Sequence, residues 1–292
     1  MDAPLTRGYY AGMPQLAYSG LSENWLLKEC GDLHWGGLAR AHGLAQPDFR
    51  DASGARAYAA FTRVRVSEGA LDRIAVNAAY AIESGLAPAG RAQFYSRHLV
   101  RGDEGVLARV EMLSAFVFRR ARGNNRSVAR AALTADERWR PDAASPPEDE
   151  AERFADAARG QRRAAREAGG SMATLAPAAG PHGRPLESRH SPCPDGDFNG
   201  ASFLYFATFA ALVDRAEWQG FRPDPLLTVV SRDVHYYGNV NLGEDVAVRC
   251  LAWTREPDGG LSHRCGIFRA ADGMLIAEAV TRKRPARALE AD

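Results

Sequence analysis

The amino-acid sequence predicts an α+β fold in which one long helix followed by antiparallel strands occurs twice. The first observation is an apolar segment with helical spacing near the start of each half. The second is the set of strand-like runs that follows each segment, separated by turns rich in Gly, Asn and Asp. A parallel α/β layout would alternate helices with strands throughout, and this chain does not. One helix wrapped by a curved antiparallel sheet is the hot-dog arrangement, so the predicted fold is a double hot-dog.

The first predicted helix occupies residues 21–44. Ser22 is a suitable N-cap, because its hydroxyl can accept a hydrogen bond from a free backbone N–H of the first turn. Gly43 stands where the helix would end. The apolar side chains at helical spacing are Trp25, Leu26, Cys30, Leu33 and Leu38. Four strand-like runs follow, at residues 56–66, 72–86, 90–100 and 105–120.

The second predicted helix belongs to the segment PDGDFNGASFLYFATFAALVDRAEW, residues 194–218. Its body, residues 203–213, is too apolar for a surface helix and would form the core of the second unit. Asn199 and Gly200 stand at the mouth of the helix in this interpretation. Four more strand-like runs follow, at residues 226–241, 244–256, 261–270 and 273–284.

The middle of the chain differs in composition from the two halves. Residues 145–170 are rich in Ala, Arg and Glu, which predicts a solvated amphipathic helix that begins near residues 145–148. A Pro- and Gly-rich connector follows. The predicted division is a first hot-dog unit at 1–118, a linker with the amphipathic helix at 119–190, and a second hot-dog unit at 191–292.

Composition and charge argue against several classes of protein. The 292 residues are 46% hydrophobic and 25% charged with a net charge of +1, which is typical of a globular protein that does not bind nucleic acid. The cysteines form no C-x-x-C pair and no zinc-ligand spacing, so we expect reduced thiols and no metal site. We find neither a signal peptide nor an apolar stretch of about 18 residues, so we expect no membrane contact and a cytoplasmic location.

Several segments resemble a known family. DFNGASFLYFA and the strand ending in YYGN resemble the second half of the leinamycin-type bifunctional acyltransferase/decarboxylases of trans-acyltransferase polyketide assembly lines. That family has a Leu-Asn-Gly turn, an apolar Leu-Tyr-Phe-Ala helix and a strand ending in Tyr-x-Gly-Asn. The matching residues are Asn199, Gly200, Leu204, Tyr205, Phe206, Ala207, Tyr236, Gly238 and Asn239. The segments GDLHW, AYAAFTRVRV and RARGNNRSVAR are also similar, so the resemblance covers most of the chain outside the Ala- and Arg-rich insert.

The resemblance implies a double hot-dog enzyme of secondary metabolism. Its implied activity is transfer of a short acyl group from coenzyme A to an acyl carrier protein, with loss of CO2 from a malonyl-type substrate. The implied partners are acyl-CoA and the acyl carrier protein. No separate cofactor is implied, because the coenzyme A thioester or the phosphopantetheine-bound acyl group is itself the substrate. A double hot-dog already contains the usual pair of hot-dog units, so both a monomer and a homodimer are compatible with it.

Decarboxylation of a malonyl thioester leaves an enolate, whose oxyanion needs hydrogen-bond donors. Backbone N–H groups at a helix N-terminus supply such donors, helped by the helix dipole. The Asn199 side chain and the amides around Gly200 and Ala201 would therefore stabilise the oxyanion. Gly20 and Ser22 stand at the matching position of the first half. Capping and packing alone would also explain these residues.

Tyrosines complete the candidate site. By resemblance, Tyr58 would donate a hydrogen bond to the enolate, protonate its carbon or act as a nucleophile, although the functional tyrosine of the family aligns with either Tyr58 or Thr62. The resemblance also implies that Tyr205, Tyr237 and Asn239 bind the substrate along a pantetheine tunnel. Arginines in RARGNNR and RGQRRAAR would contact the coenzyme phosphates or the acidic face of a carrier protein.

Three alternatives stay open. A hot-dog thioesterase would need an Asp or Glu near a helix to activate water, and Asp195, Asp197, Glu23 and Asp214 are available. A hot-dog dehydratase would pair a His with a carboxylate across the two units, for which His34 and Asp214 are the candidates. The third alternative is a non-catalytic protein that binds acyl carrier proteins on the same fold.

Overall fold

The computed structural model describes residues 5–51, 53–131 and 145–287. Within them, the α-helices are α1 (Glu23–Ala41), α2 (Glu148–Glu167), α3 (Pro194–Asp197) and α4 (Phe206–Phe221). The strands β1 to β13 are, in chain order, Leu5–Tyr10, Leu16–Ala17, Gly20–Leu21, Tyr58–Ser67, Ala79–Pro88, Phe94–Gly102, Gly105–Arg119, Val128–Arg130, Glu187–His190, Leu227–Tyr236, Val246–Arg255, Leu261–Arg269 and Leu275–Pro285. In this described part of the chain, no helix combines the length and the apolarity needed to cross a bilayer.

One large sheet dominates the described residues. Its strands follow the order β1-β5-β6-β7-β4-β10-β13-β12-β11-β9, and β8 pairs with β7 outside this path. The pairings between the described strands are antiparallel, including the pairing of β4 with β10 that joins the two halves. β2 and β3 form a separate hairpin. The predicted arrangement of one long helix and a run of antiparallel strands in each half is confirmed.

The helices lie on both faces of the sheet. Met112 and Leu113 are neighbours on β7 and must point to opposite faces, because side chains alternate along a strand. Met112 belongs to the main core, which includes apolar side chains of α1 and α4. Leu113 belongs to a separate cluster with Phe154 of α2. The two long core helices therefore share one face, and the amphipathic helix covers the other.

The ends of α1 agree with the sequence prediction. Ser22 is the N-cap, and its Oγ accepts a hydrogen bond from the backbone N of Trp25 at 3.3 Å. Gly43 follows the helix end with a φ of +70°. The eight predicted runs correspond to β4–β7 and β10–β13. The run predicted from residue 72 begins later, because Leu71–Arg73 forms a short 3-10 helix.

The start of α4 differs from the prediction. The sequence places the helix mouth at Asn199, whereas the helix begins at Phe206. The Asn199 Oδ1 accepts hydrogen bonds from the backbone N of Ala201 at 3.0 Å and of Phe203 at 3.1 Å. These side-chain bonds hold the preceding segment as a loop in place of a first helical turn. Asn199 therefore organises a loop and does not cap the buried helix.

The segment predicted as a linker contributes to the sheet. β8 pairs with β7 in the first half, and β9 pairs with β11 in the second half. The predicted amphipathic helix is present between them as α2. The helix begins at Glu148, in agreement with the prediction. Pro147 is its N-cap, where the missing N–H of proline removes no hydrogen bond of the helix.

A buried chain of histidines and serines links α1 to the sheet. The His34 ring is hydrogen-bonded with Ser96 Oγ at 2.7 Å and with Ser114 Oγ at 2.8 Å. The His98 ring is hydrogen-bonded with Ser96 Oγ at 2.9 Å and with Ser84 Oγ at 2.8 Å. Burial lowers the pKa of His98 to about 3 and lowers the pKa of His34 well below its ordinary value.

These histidines predict a loss of stability in acid. The folded state keeps both rings neutral, while the unfolded chain takes up protons below about pH 6.5. Their contribution is therefore complete above pH 6.5 and falls as the pH drops from there toward 3, by about 1.4 kcal/mol per pH unit for each ring. Urea unfolding between pH 7.5 and 4.5 measures this slope. A His98→Asn variant with an unchanged slope would contradict the assignment.

Candidate active site

A cavity of about 1080 Å3 lies where β4 and β10 separate. The two strands pair only between residues 63–66 and 232–235. Beyond that point, residues 58–62 and 236–239 both line the cavity. The wall also includes Phe206 at the start of α4 and Arg162 of α2. Because these helices cover opposite faces of the sheet, the cavity passes through a gap between the two units.

Most of the predicted site residues line this cavity. They are Tyr58, Asn199, Gly200, Ala201, Tyr205, Tyr237 and Asn239. Thr62, the alternative to Tyr58, lines it too. These residues come from β4, from the loop before α4 and from the end of β10, which are far apart in the sequence. Their common location is therefore a consequence of the fold.

Gly20 and Ser22 are not among the residues of the cavity wall. Ser22 caps α1 as described above, and Gly20 lies in β3 with a φ of +119°. A Cβ at Gly20 would come within 2.4 Å of the carbonyl oxygen of Leu71. Close packing and a left-handed backbone both require glycine here. The structure gives these two residues structural contacts outside the cavity wall, and the second oxyanion site stays a prediction.

The loop before α4 is clamped from other parts of the chain. Asn239 Oδ1 accepts from the backbone N of Leu204 at 2.9 Å, and Asn239 Nδ2 donates to the carbonyl O of the same residue at 3.1 Å. Asn125 Nδ2 donates to the carbonyl oxygens of Ser202 and Val240, each at 2.7 Å. Sequence reasoning did not single out Asn125, although it stands in the RARGNNR segment. The loop is thus held rigidly at the cavity wall.

The backbone at Gly200 and Ala201 departs in part from the prediction. The N–H of Ala201 donates to Asn199 Oδ1, so this amide already has a partner within the loop. The carbonyl of Ala201 accepts a hydrogen bond from Arg119. A Cβ at Gly200 would meet no atom within 4 Å, so packing does not require glycine there. The helix N-terminus that lies at the cavity is that of α4, which begins at Phe206. The backbone N–H groups of its first turn are the helix donors nearest the cavity.

Tyr58 lies beside a cation. The guanidinium carbon of Arg119 is 5.3 Å from the centroid of the Tyr58 ring and 3.8 Å from that of Phe203. Burial lowers the pKa of Arg119, and the neighbouring Tyr58 hydroxyl opposes that shift. A positive charge next to a phenol oxygen stabilises negative charge that develops there during nucleophilic attack or proton transfer. Sequence reasoning did not identify Arg119, because nothing in the sequence places it next to Tyr58.

The other tyrosines of the wall are neutral hydrogen-bonding groups. Tyr236 Oη donates to the carbonyl O of Phe206 at 3.1 Å, and Tyr237 Oη donates to Glu278 at 3.4 Å. Burial raises the pKa of both. Burial also raises the pKa of Tyr205 to about 12. Near neutral pH these hydroxyls stay protonated and do not act as bases, and those of Tyr236 and Tyr237 already donate within the protein.

Arginines form part of the cavity wall, and three of them, Arg159, Arg162 and Arg166, belong to α2. The cavity-lining arginines are Arg126, Arg130, Arg159, Arg162, Arg166 and Arg269. Arg162 Nη2 donates to the carbonyl O of Tyr236 at 2.6 Å. Burial lowers the pKa of Arg162, and the positive charges of Arg166 and Arg130 lower it further. Guanidiniums close enough to repel one another favour an anionic group on the ligand.

The carboxylates considered for water activation lie elsewhere. Asp197 accepts a hydrogen bond from the backbone N of Cys193, just before its short helix α3, and Asp195 is exposed on the same helix. Glu23 and Asp214 form ion pairs with Arg232 in the core. Among the described residues of the cavity wall, the titratable side chains are tyrosines and arginines. The part of the chain that the structure describes has no cluster of three His, Cys, Asp or Glu placed to hold a metal.

Comparison with known proteins gives matches of structure only. No protein-family model matches the chain, and no curated protein matches it in sequence. An oleoyl thioesterase from Lactobacillus plantarum has a TM-score of 0.66 at 11% identity, over 97% of this chain and 95% of that chain. The 12:0-ACP thioesterase from Umbellularia californica has a TM-score of 0.63 at 13% identity, over 96% and 97%. An acyl-ACP thioesterase from Bacteroides thetaiotaomicron has a TM-score of 0.58 at 8% identity, over 96% and 97%.

The fold is a double hot-dog. The matches extend over both halves of the chain, which confirms the fold class predicted from the repeated pattern of helix and strands. Identities this low show a shared fold and leave the activity to be argued from the site. The comparisons give no support to the leinamycin-type family in particular, and that resemblance stays a prediction.

Proposed function

We propose that this protein is an enzyme that cleaves the thioester of an acyl group carried on coenzyme A or on the phosphopantetheine arm of an acyl carrier protein. The observation that carries the proposal is the cavity between the two units, whose wall combines apolar side chains, several arginines and Tyr58, with Arg119 next to the Tyr58 ring. Its volume of about 1080 Å3 is at the upper end of the range for small-molecule sites, which suits a long, flexible ligand. The structures with the same fold, described as thioesterases, support the same substrate class.

Hydrolysis is the first candidate for the fate of the acyl group. The three structural matches above are all described as thioesterases. In this reaction, water attacks the thioester carbonyl and the thiol leaves. Tyr58 would orient the water or donate to the carbonyl oxygen, and Arg119 would stabilise the negative charge that develops nearby.

Transfer to an acyl carrier protein, with loss of CO2 from a malonyl-type donor, is the second candidate. The Tyr58–Arg119 pair favours it, because a phenol oxygen beside a guanidinium can itself take the acyl group. In this reaction, the Tyr58 oxygen attacks the thioester carbonyl, and coenzyme A leaves as the thiol with the phenol proton. The bond from the α-carbon to the free carboxylate breaks, which releases CO2, and the enolate that remains takes a proton from water. The carrier thiol then attacks the acyl-tyrosine carbonyl, and its proton returns to the Tyr58 oxygen. A free carboxylate on the acyl group would also find positive charge on the cavity wall.

One experiment distinguishes the candidates. The purified protein is incubated with malonyl-, methylmalonyl-, succinyl- and straight-chain acyl-coenzyme A, with and without holo acyl carrier protein. Free thiol and the intact mass of the carrier are measured. Thiol release with an unmodified carrier supports hydrolysis, whereas an acylated carrier supports transfer, and an acyl mass short by CO2 adds decarboxylation. If no donor gives either product, the enzyme proposal is wrong and a carrier-binding protein is the better description.

The arginines of the cavity wall predict that replacing one of them weakens the binding of coenzyme A donors selectively. Because Arg162 faces the cavity and is close to two other guanidiniums, Arg162→Gln is expected to raise KM for an acyl-coenzyme A by roughly tenfold, the cost of about one charge-assisted hydrogen bond. The KM of an N-acetylcysteamine thioester, which lacks phosphates, should not change. Steady-state kinetics with both donors measures the difference.

Arg153→Gln is the matched control for this prediction. Arg153 is on the same helix, pairs with Asp149 on the surface and has a 70% exposed side chain. Its replacement should leave both KM values unchanged. A KM that rises equally for the two donors in Arg162→Gln would contradict a phosphate-binding role.

A further inference from the structure

A second, smaller cavity of about 230 Å3 lies against the C-terminal half of α4 and strands β11 and β12. Its described lining shares no residue with the first cavity. One part of the wall brings together the two thiols of Cys250 and Cys265, the imidazole of His263 and the carboxylate of Glu217. None of these groups takes part in the proposed thioester chemistry.

The two thiols stand opposite each other on neighbouring strands. Cys250 of β11 is registered with Cys265 of β12. The backbone N of Cys250 donates to the carbonyl O of Leu186 at 2.9 Å, and its carbonyl O accepts from the backbone N of Ala178 at 2.7 Å. Both bonds point away from β12, which makes Cys250 and Cys265 a non-hydrogen-bonded pair. Opposed residues in such a pair have Cα atoms about 4.5 Å apart, within the range of about 4.4–6.8 Å that a disulfide bridges.

A proton acceptor adjoins the pair. His263 Nδ1 lies 3.3 Å from the Sγ of Cys265, and His263 Nε2 lies 2.8 Å from an oxygen of Glu217. Glu217 is held in turn by Lys283 Nζ at 2.9 Å. A hydrogen bond from Cys265 lowers the pKa of Cys250. The same hydrogen bond, together with burial, raises the pKa of Cys265. Cys250 is therefore the thiol that ionises first, which makes it the better nucleophile.

We propose that Cys250 and Cys265 form a reversible oxidation site whose oxidant is hydrogen peroxide. The Cys250 thiolate attacks one peroxide oxygen, so that an S–O bond forms as the O–O bond breaks, and the leaving hydroxide takes the Cys250 proton to become water. Cys265 then attacks the sulfenic sulfur, an S–S bond forms as the S–O bond breaks, and His263 passes the Cys265 proton to the departing hydroxide. Two thiols are oxidised to one disulfide, and one peroxide is reduced to two waters.

The remaining cysteines provide internal controls. Cys193 is exposed and Cys30 is buried in α1. Exposure alone would direct oxidation to Cys193, and burial alone would protect Cys250 and Cys265 as well as Cys30. The proposal therefore predicts oxidation at Cys250 and Cys265, whereas solvent exposure predicts oxidation at Cys193.

The test uses the full chain, reduced and then exposed to hydrogen peroxide. Peptide mapping under non-reducing conditions should show Cys250 linked to Cys265, with an intact mass lower by two hydrogens, and dithiothreitol should reverse both changes. Cys265→Ser should leave a sulfenic acid on Cys250 that dimedone traps. Cys193→Ser should form the disulfide at the parental rate. His263→Gln should slow the closing step by roughly tenfold, so that the sulfenic acid on Cys250 accumulates, as expected when a proton acceptor is lost.

The mapping of the parent protein decides the proposal without any variant. Absence of the Cys250–Cys265 link in the folded protein would overturn it, as would a link that forms only in denaturant. Dimedone labelling confined to Cys193 would overturn it as well. Because the readout is a covalent bond, the result does not depend on whether the protein cleaves thioesters.

Discussion

Replacement of Tyr58 by Phe is expected to lower kcat/KM for thioester cleavage by roughly 10²- to 10⁴-fold, the range for loss of a group that transfers a proton in the transition state. Tyr58 lines the cavity, and the guanidinium of Arg119 lies next to its ring. The ring packs edge to face on Phe203 with centroids 5.5 Å apart. Phenylalanine keeps that packing and removes only the oxygen, so the loss should appear in kcat rather than in KM.

The control for this prediction is Tyr18→Phe. Tyr18 has an exposed fraction of 79% and does not line the cavity, so its replacement should leave both kinetic constants unchanged. Thermal unfolding of each variant should match the parent, because neither change empties a packed site. A Tyr58→Phe enzyme with kcat within about threefold of the parent would exclude the hydroxyl from the chemistry, and Thr62 would then be the next position to test.

The second large effect is expected on stability, from Arg232→Met. Arg232 is 1% exposed, and its guanidinium lies 3.2 Å from Glu23 and 2.5 Å from Asp214. Burial and the neighbouring charges raise the pKa of Glu23, with Arg232 opposing the increase. Removing the cation leaves a buried carboxylate without its main partner, which costs about 3–5 kcal/mol of unfolding free energy. Chemical denaturation at pH 7 measures the loss.

Two controls isolate the cause of that loss. The double change Arg232→Met with Glu23→Gln should recover part of it, because the unpaired buried charge is gone. Glu23 should contribute more than Asp214, whose side chain is 41% exposed and retains contact with water. Acidification should also narrow the difference from the parent, since protonation neutralises Glu23 in the variant. A single variant within about 1 kcal/mol of the parent would contradict this account.

The fold class could be predicted because it depends on local and repeated signals. Ser22 caps α1 through a bond to Trp25, three residues away, and this kind of contact is visible in the sequence. Strand alternation and turn residues likewise indicate the runs that become β4–β7 and β10–β13. Local sequence patterns did not predict the structure at Asn199, because two short-range structures compete there. A side chain that can cap a helix can also close a loop on its own backbone, and here the loop forms.

The sequence on its own determined the repeated helix-and-sheet architecture, the ends of α1 and the chemical types of residue available for the proposed thioester site. Only the tertiary structure decided where that site lies. The cavity exists because β4 and β10 stop pairing after four residues, and a gap of this kind depends on contacts between segments about 170 positions apart. The same long-range packing places Arg119 beside Tyr58 and confines Gly20 to a tight backbone contact. The periodicity of apolar residues predicts which face of each helix or strand is buried. The position of one unit relative to the other depends on how the two units pack in the shared core.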